Sequence, residues 1–255
     1  TLGPVAMISP ISPGAQSVAA ASVGIAPSTS LITRISTPLT TRPTHVPWPR
    51  RASWRTSPKS SSAAIVGRIS LTGELGYEIV VPTSKHRLLY DELREAGRAH
   101  GLRLIGDRAL DSLRLEKGYG IWSAEFRQDV TPGMSGLDRF VAFDKGDFIG
   151  REAVLRKEEA GLARKMVQFR LKDPEPLLFH NEALVRDGKI VGPVTSGAYG
   201  HFLGGAVGMG YVPCLGQSDA ELLGSKYEIE VAGQRHEALV SLVPMHDPKS
   251  ERVRA

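Results

Sequence analysis

The sequence predicts an α+β fold in which a mixed helix–strand region precedes a small all-β region. Three observations support this prediction. Residues 65–162 alternate Ile/Val-rich strand patterns with amphipathic helical ones, whereas residues 163–246 contain only strand and turn patterns. Residues 1–64 hold nine of the chain's 17 prolines, so this N-terminal quarter is expected to be irregular. Residues 247–255 form a short tail.

The N-terminal quarter has a composition of its own. Between its prolines it is rich in Ser, Thr, Ala and Arg, and no helical or alternating period persists for more than a few residues. This composition predicts disorder or poor packing. Three accounts stay open: an acid-free transit peptide, a flexible linker, and a stretch translated out of frame from a GC-rich gene. We favour the third.

Charge is distributed unevenly along the 255 residues, whose formal net charge is +5. Residues 1–73 contain no Asp or Glu and seven basic residues. The remainder holds 25 basic and 27 acidic residues, so it is nearly neutral and has no basic stripe that could follow a phosphate backbone. We therefore expect no nucleic-acid partner.

Other classes of protein and site are disfavoured by simple counts. The single cysteine, Cys214, excludes an internal disulfide and a multi-cysteine metal site. The seven histidines show no HExxH spacing, so no metal site is expected. No uninterrupted apolar run of membrane-spanning length occurs, and we expect no membrane association.

The first orderly elements surround the stretch "LTGELGYEIVVP" at residues 71–82. The Ile- and Val-rich runs "AIVGRISLTG" and "YEIVVP" indicate two strands, and the Gly73–Gly76 segment between them indicates a turn. This strand pair carries two glutamates, Glu74 and Glu78. A helix is predicted over 85–99, with Ser84 as its N-cap.

A second helix is predicted to begin at Asp107 and to stop at Gly118, and a third short helix fits residues 150–160. Strands then dominate. The run "EALVRDGKIVGPV" indicates a hairpin, because Asp187-Gly188 suits a type I′ turn. "KMVQFRL", "GAVGMGYV" and "KYEIEVAGQRHEALVSL" supply further strands, which together predict a small β-barrel or sandwich.

Four motifs then occur in a characteristic order and spacing. They are "RISLTGELGYEIVVP", "GDRALDSLRLEKGYGIW", "TPGMSGLDRFVAFDKGDFIGREA" and "VTSGAYGHFLGGAVGMGYVP". Together they resemble the aminomethyltransferase (glycine-cleavage T-protein) family. The forms "LDSLRLEKGYGIW" and "FIGREA" are most similar to the folate-binding half of dimethylglycine and sarcosine dehydrogenases. The resemblance covers about residues 65–246. A related iron–sulfur-assembly branch carries "KGCYxGQE", and the cysteine-free "EKGYGIWSAE" argues against that branch.

The resemblance implies both a fold and a reaction. It implies an incomplete T-protein-like folate-binding domain with ferredoxin-like lobes, followed by a C-terminal β-barrel. The implied function is tetrahydrofolate-dependent transfer of a one-carbon (aminomethyl) unit, with folate and an N-methyl amine as small-molecule partners. FAD would lie only on an upstream flavin domain or on a partner subunit. The implied location is cytoplasmic, or the mitochondrial matrix in a eukaryote.

The resemblance also implies which residues contact the folate. The second glutamate of the family's motif, which holds the pterin, falls on Glu78. A carboxylate can accept two N–H bonds from a pterin edge in charge-assisted geometry. Trp122 could stack on a ring of the ligand, and Glu125 and Tyr199 complete the predicted contacts. Glu74 is expected to face solvent or to hold the turn, and the alternative for Trp122 is a half-buried core residue.

This sequence departs from the family pattern at three points. The aromatic residue that the family often has seven positions before the pterin glutamate is Leu71 here. Leu110 occupies the place of a folate-contacting arginine, and we expect Arg114 to make structural ion pairs instead. The family's acid/base aspartate belongs to its N-terminal region, and residues 1–73 contain no carboxylate, so the catalytic residue is unknown. Impaired transfer is therefore expected; the alternatives are a non-catalytic folate-binding or interaction module and a degenerate pseudoenzyme.

Overall fold

The computed structural model describes residues 5–11, 22–24, 51–55 and 61–254. The chain divides into two units. The first comprises residues 1–110 together with 250–255, and the second comprises residues 111–249. Each unit is described by itself below.

The first unit contains a six-stranded sheet. Its strands are β1 (Val5–Ile11), β2 (Ser22–Gly24), β3 (Arg51–Arg55), β4 (Ser61–Gly67), β5 (Gly76–Pro82) and β6 (Arg103–Ile105). The strand order is β3-β4-β5-β1-β2-β6, and β5 pairs parallel with β1 and antiparallel with β4. The strand that carries Glu78 therefore lies inside the sheet, with a neighbour on each side.

Helix α1 (His86–Arg98) covers one face of this strand. Side chains alternate between the two faces of a strand, and the buried Ile79 and Val81 of β5 pack against Leu89 and Leu93 of α1. Of the four apolar positions that predicted the helix, Leu89 and Leu93 therefore face the core, whereas Leu88 and Ala96 are exposed. The predicted cap is wrong: Ser84 lies in a 3₁₀ turn over Thr83–Lys85, and Lys85 precedes the helix without a side-chain hydrogen bond.

The second unit contains a closed barrel of antiparallel strands. They are β7 (Arg164–Leu171), β8 (Ala183–Arg186), β9 (Lys189–Gly200), β10 (Gly205–Pro213), β11 (Tyr227–Val231) and β12 (Gln234–Ser241). Around the barrel the order is β10-β7-β12-β11-β8-β9. Fully buried apolar side chains such as Phe169, Leu184 and Ile229 fill its core. The predicted α+β class with a C-terminal barrel is confirmed.

The predicted hairpin between β8 and β9 is also confirmed. Arg186 pairs with Lys189 across a two-residue turn in which Asp187 has φ +49° and Gly188 has φ +81°. Positive φ at both central positions defines a type I′ turn, whose twist matches that of the flanking strands.

The described part of the chain contains three further α-helices. They are α2 (Asp107–Glu116), α3 (Arg151–Glu159) and α4 (Asp219–Gly224). The C-terminal end of α2 belongs to the second unit, where Leu115 packs against Val207 and Met209 of β10. This contact fixes the end of α2, and hence the segment that follows it, on the barrel.

The N-terminal quarter departs from the irregular structure expected of it at four places. The structure assigns to it strands β1, β2 and β3 and the first four residues of β4. The other residues before β4 lie outside the described ranges. The proposed domain boundaries, including the separate status of residues 1–64, therefore stay predictions.

Within the described ranges, no helix combines the length and the apolar character that a bilayer crossing requires. Over the same residues, His, Cys, Asp and Glu side chains nowhere gather in threes around a point that could hold a metal ion.

Close packing at Gly197 makes a first prediction. A Cβ there would lie 2.6 Å from the backbone carbon of Leu178, so backbone would have to move. We expect Gly197→Ala to lower the free energy of unfolding by about 1–3 kcal/mol, measured by urea denaturation. Gly224→Ala is the control, because a Cβ at Gly224 meets nothing within 4 Å. Equal stability of the two variants would contradict the packing described.

Candidate functional site

Glu78 lies on the face of β5 opposite the helix α1 core. Successive side chains of a strand point to opposite faces. The next residue, Ile79, is buried in the core, whereas Glu78 is half-buried. Backbone pairing with Gly67 of β4 and Met7 of β1 fixes its position in the sheet. A rigid strand therefore presents this carboxylate, and solvent still reaches part of it.

Glu74, four residues earlier, is in a different environment. The residue is 5% exposed, and its Oε1 accepts a hydrogen bond of 2.6 Å from Nε of Arg252. Its backbone N–H donates to Oγ1 of Thr72 at 3.3 Å. Of the two roles expected for Glu74, holding the turn agrees with the structure and facing solvent does not.

Trp122 is 81% exposed, so the alternative of a half-buried core residue is wrong. Its ring meets Phe126 edge to face, with ring centroids 6.2 Å apart. Ser123 between them adopts φ +68°, and Ser123 N–H donates to the carbonyl of Phe126. The chain therefore folds back on itself at residues 121–126 and presents the indole to solvent.

Glu125 is fully buried at the base of this loop. Its Oε1 accepts hydrogen bonds of 2.6 Å from the hydroxyls of Thr195 and Ser196 on β9. Its Oε2 accepts the backbone N–H of Ile121 at 3.0 Å and lies 3.5 Å from Nη1 of Arg114. A carboxylate offers about four lone-pair positions. Donors from this chain occupy them, so the carboxylate joins the Trp122 loop to the barrel.

Arg114 is a structural ion-pair residue, as the sequence predicts. Its side chain is 3% exposed, and Nε donates to Asp111 at 2.8 Å while Nη1 donates to the carbonyl of Tyr119 at 3.1 Å. Together with Glu125 it forms a buried, compensated charge cluster. Compensation is required because a buried unpaired charge costs several kcal/mol.

The barrel contributes Tyr199 and Tyr211 to this region. Tyr199 is half-buried on β9; its ring meets His201 edge to face, and its carbonyl accepts the Ser112 hydroxyl at 2.6 Å. Tyr211 on β10 donates its hydroxyl to the carbonyl of Glu125 at 3.0 Å. Burial, followed by the charge of Glu125, raises the pKa of Tyr211 to about 12, so the hydroxyl stays a donor at neutral pH.

The residues that hold Glu125 were not predicted from the sequence. Thr195 and Ser196 are 70 and 71 positions away along the chain. The adjacent "TS" pair inside a strand pattern is the only local signal, and it is weak because hydroxyls in strands commonly face solvent. Arg252 was missed for the same reason, since 178 positions separate it from Glu74.

The fold defines the class of protein: one unit contains a mixed sheet, and the other contains a closed six-stranded barrel. In each unit a buried glutamate, Glu74 or Glu125, accepts hydrogen bonds from residues of the same unit. Two family models match this chain. The GCVT N-terminal domain matches residues 31–145, and the glycine cleavage T-protein C-terminal barrel domain matches residues 164–247. Together they cover more than three quarters of the chain.

Individual relatives agree. A 4-methylaminobutanoate oxidase (formaldehyde-forming) from Paenarthrobacter nicotinovorans is 39% identical over 73% of this chain and 22% of that protein. Human mitochondrial sarcosine dehydrogenase is 36% identical over 73% of this chain and 21% of that protein. The crystal structure of glycine cleavage system aminomethyltransferase T from Bartonella henselae matches with TM-score 0.63 and 28% identity, over 72% of this chain and 50% of that one.

The chain belongs to the aminomethyltransferase (glycine-cleavage T-protein) family, and the predicted family is confirmed. It spans about a fifth of the two curated relatives named above. The family match begins at residue 31, which is 37 residues before Arg68, where the first motif recognised by sequence begins. The motifs alone therefore understated how far the family resemblance extends.

The Glu125 cluster makes a second prediction. Glu125→Ala leaves buried Arg114 without this partner and removes an acceptor of the buried Ser196 hydroxyl and the half-buried Thr195 hydroxyl. We expect the free energy of unfolding in urea to fall by about 3–5 kcal/mol. Glu152→Ala is the matched control, because the Glu152–Arg156 pair is exposed and should change stability by less than about 0.5 kcal/mol. A Glu125→Ala variant as stable as this control would refute a buried compensated cluster.

Proposed function

We propose that this chain is a tetrahydrofolate-binding module for one-carbon (aminomethyl) transfer, of the kind found in proteins related to dimethylglycine and sarcosine dehydrogenases. The observation that carries the proposal is Glu78: a half-buried carboxylate on an interior strand, at the family's pterin position, on the sheet face opposite the one that packs against helix α1. Oxidation of an N-methyl amine is assigned to a flavin-containing domain or partner, and no residue of this chain is given an FAD-binding role.

The chemistry of Glu78 suits a pterin. The pterin edge offers two adjacent N–H donors, and a carboxylate can accept both in parallel, which is the stronger, charge-assisted form of hydrogen bond. Strands β4 and β1 restrain the backbone on both sides of Glu78. A restrained acceptor loses little conformational entropy when the ligand binds, so more of the interaction energy appears as affinity.

The predicted contacts of the second unit have different roles in this proposal. Trp122 offers an exposed indole on which a planar ring can stack. Glu125 does not contact the ligand in this proposal. Its carboxylate accepts hydrogen bonds from within the chain and orients the loop that carries Trp122. Tyr199 stays a predicted contact from the barrel.

We expect calorimetric titration with tetrahydrofolate to give saturable one-site binding. Glu78→Ala should abolish detectable binding, because a charge-assisted bidentate contact is lost. Trp122→Ala should weaken binding by roughly tenfold, the value of one stacked aromatic. The controls are Glu92→Ala, an exposed carboxylate on α1, and Phe140→Ala, an exposed aromatic residue of the second unit. Unchanged affinity in Glu78→Ala would remove the proposed site.

A second candidate, a folate-binding module without catalysis, is favoured by one observation. Residues 1–73 contain no carboxylate, and general acid–base catalysis by a positioned side chain contributes about 10²–10⁴-fold to a rate. The two candidates agree on ligand binding and differ only in turnover.

For a transfer module impaired by loss of acid–base catalysis, we expect 5,10-methylenetetrahydrofolate to form from an aminomethyl donor about tenfold faster than the uncatalysed rate, because positioning remains. The assay compares the chain with its Glu78→Ala variant at equal concentration, and the variant should fall to the background rate. A wild-type rate equal to background would instead favour the folate-binding module without catalysis.

A further inference from the structure

The C-terminal tail contributes a cation to the turn before β5. Residues 250–255 belong to the first unit, and there Nε of Arg252 donates to Oε1 of Glu74 at 2.6 Å. The Glu74 side chain is 6% exposed and that of Arg252 is 27% exposed. A short contact between opposite charges with one partner buried is a charge-assisted hydrogen bond, which is about twice as strong as a neutral one.

Glu74 belongs to a turn that leads directly into the strand of Glu78. Thr72 and Gly73 are buried with it, and the Thr72 hydroxyl accepts the backbone N–H of Glu74. Gly76, the first residue of β5, is also buried. Only three residues separate Glu74 from Glu78, so displacement of the turn would be transmitted to the start of the strand.

We infer that Arg252 is a positioning residue for Glu78. By neutralising buried Glu74 it keeps the 72–76 turn folded inward, and the turn in turn fixes the start of β5 and the direction of the Glu78 carboxylate. Without the guanidinium, Glu74 turns outward to water, because a buried unpaired carboxylate is costly. This inference rests on the proposed function, since it concerns the same carboxylate.

The inference makes a specific claim about coupling between two substitutions. If Arg252 acts through the charge of Glu74, then removing that charge removes the need for the cation. Glu74→Gln keeps the shape and an acceptor oxygen while it abolishes the charge. Arg252→Met keeps most of the side-chain length and abolishes the cation. The four proteins of this cycle are the wild type, each single variant and the double variant.

We expect Arg252→Met to raise the Kd for tetrahydrofolate roughly tenfold, the usual range for losing a hydrogen bond to a charged group. In the Glu74→Gln background the same substitution should raise it less than about twofold. Arg252→Lys, which keeps the cation, should stay within about threefold of the wild type. Arg98→Met is the matched control, because its pair with Glu95 on α1 is exposed and its loss should leave the Kd unchanged.

Two outcomes of the titration would overturn the inference. An equal increase in Kd for Arg252→Met in both backgrounds would mean that Arg252 acts independently of Glu74, as a residue in direct contact with the ligand would. A loss of thermal stability with an unchanged Kd would mean that the pair only stabilises the fold.

A ligand-free measurement separates failure of this inference from failure of the proposed function. Amide hydrogen exchange reports local opening of β5 in the absence of folate. We expect Arg252→Met to accelerate exchange across residues 76–80 by roughly tenfold relative to the rest of the sheet, and the acceleration should disappear in the Glu74→Gln background. If the wild type binds no tetrahydrofolate but this pattern is seen, the proposed function fails and the coupling stands. Unchanged exchange in Arg252→Met refutes the coupling.

Discussion

The cost of burying a carboxylate is the constraint on which the two units of this protein depend. Among the described residues three glutamates are buried, Glu74, Glu116 and Glu125. Each accepts hydrogen bonds from residues of its own unit. Glu74 accepts from Arg252, and Glu116 accepts from the backbone N–H groups of Phe202 and Leu203. Glu125 accepts from the hydroxyls of Thr195 and Ser196. Since an uncompensated buried charge costs several kcal/mol, these contacts fix the loops that carry them.

The same constraint distinguishes structural glutamates from a candidate ligand residue. Glu74 and Glu125 lie in motifs typical of the family. From motif position alone, each is as good a candidate for ligand contact as Glu78. Burial separates them. Glu125 is fully buried with its lone pairs engaged, and Glu74 is buried against an arginine, whereas Glu78 is half-buried on a strand whose other face forms the core. We therefore propose ligand contact for Glu78 and positioning for the other two.

The sequence predicted those features that depend on local patterns. Enrichment in Ile and Val predicted the strand "YEIVVP", β5, and Asp187-Gly188 predicted the type I′ hairpin, because strand propensity and two positive φ angles are properties of neighbouring residues. Partners of buried charges are set by folding instead, and the positions that meet Glu125 and Glu74 lie 70 and 178 residues away. The Ser84 cap failed because a 3₁₀ turn moved the helix start beyond it.

Binding and transfer are separable in this chain on physical grounds. A general acid or base must reach the reacting nitrogen with a proton to give or accept. A carboxylate whose oxygens already accept hydrogen bonds from fixed donors, as those of Glu125 do, would have to break those bonds first. Glu78, committed to the pterin in our proposal, is occupied once the ligand is bound. Substrate recognition can therefore remain where proton transfer is weak, and for this reason we propose folate binding by this chain separately from turnover.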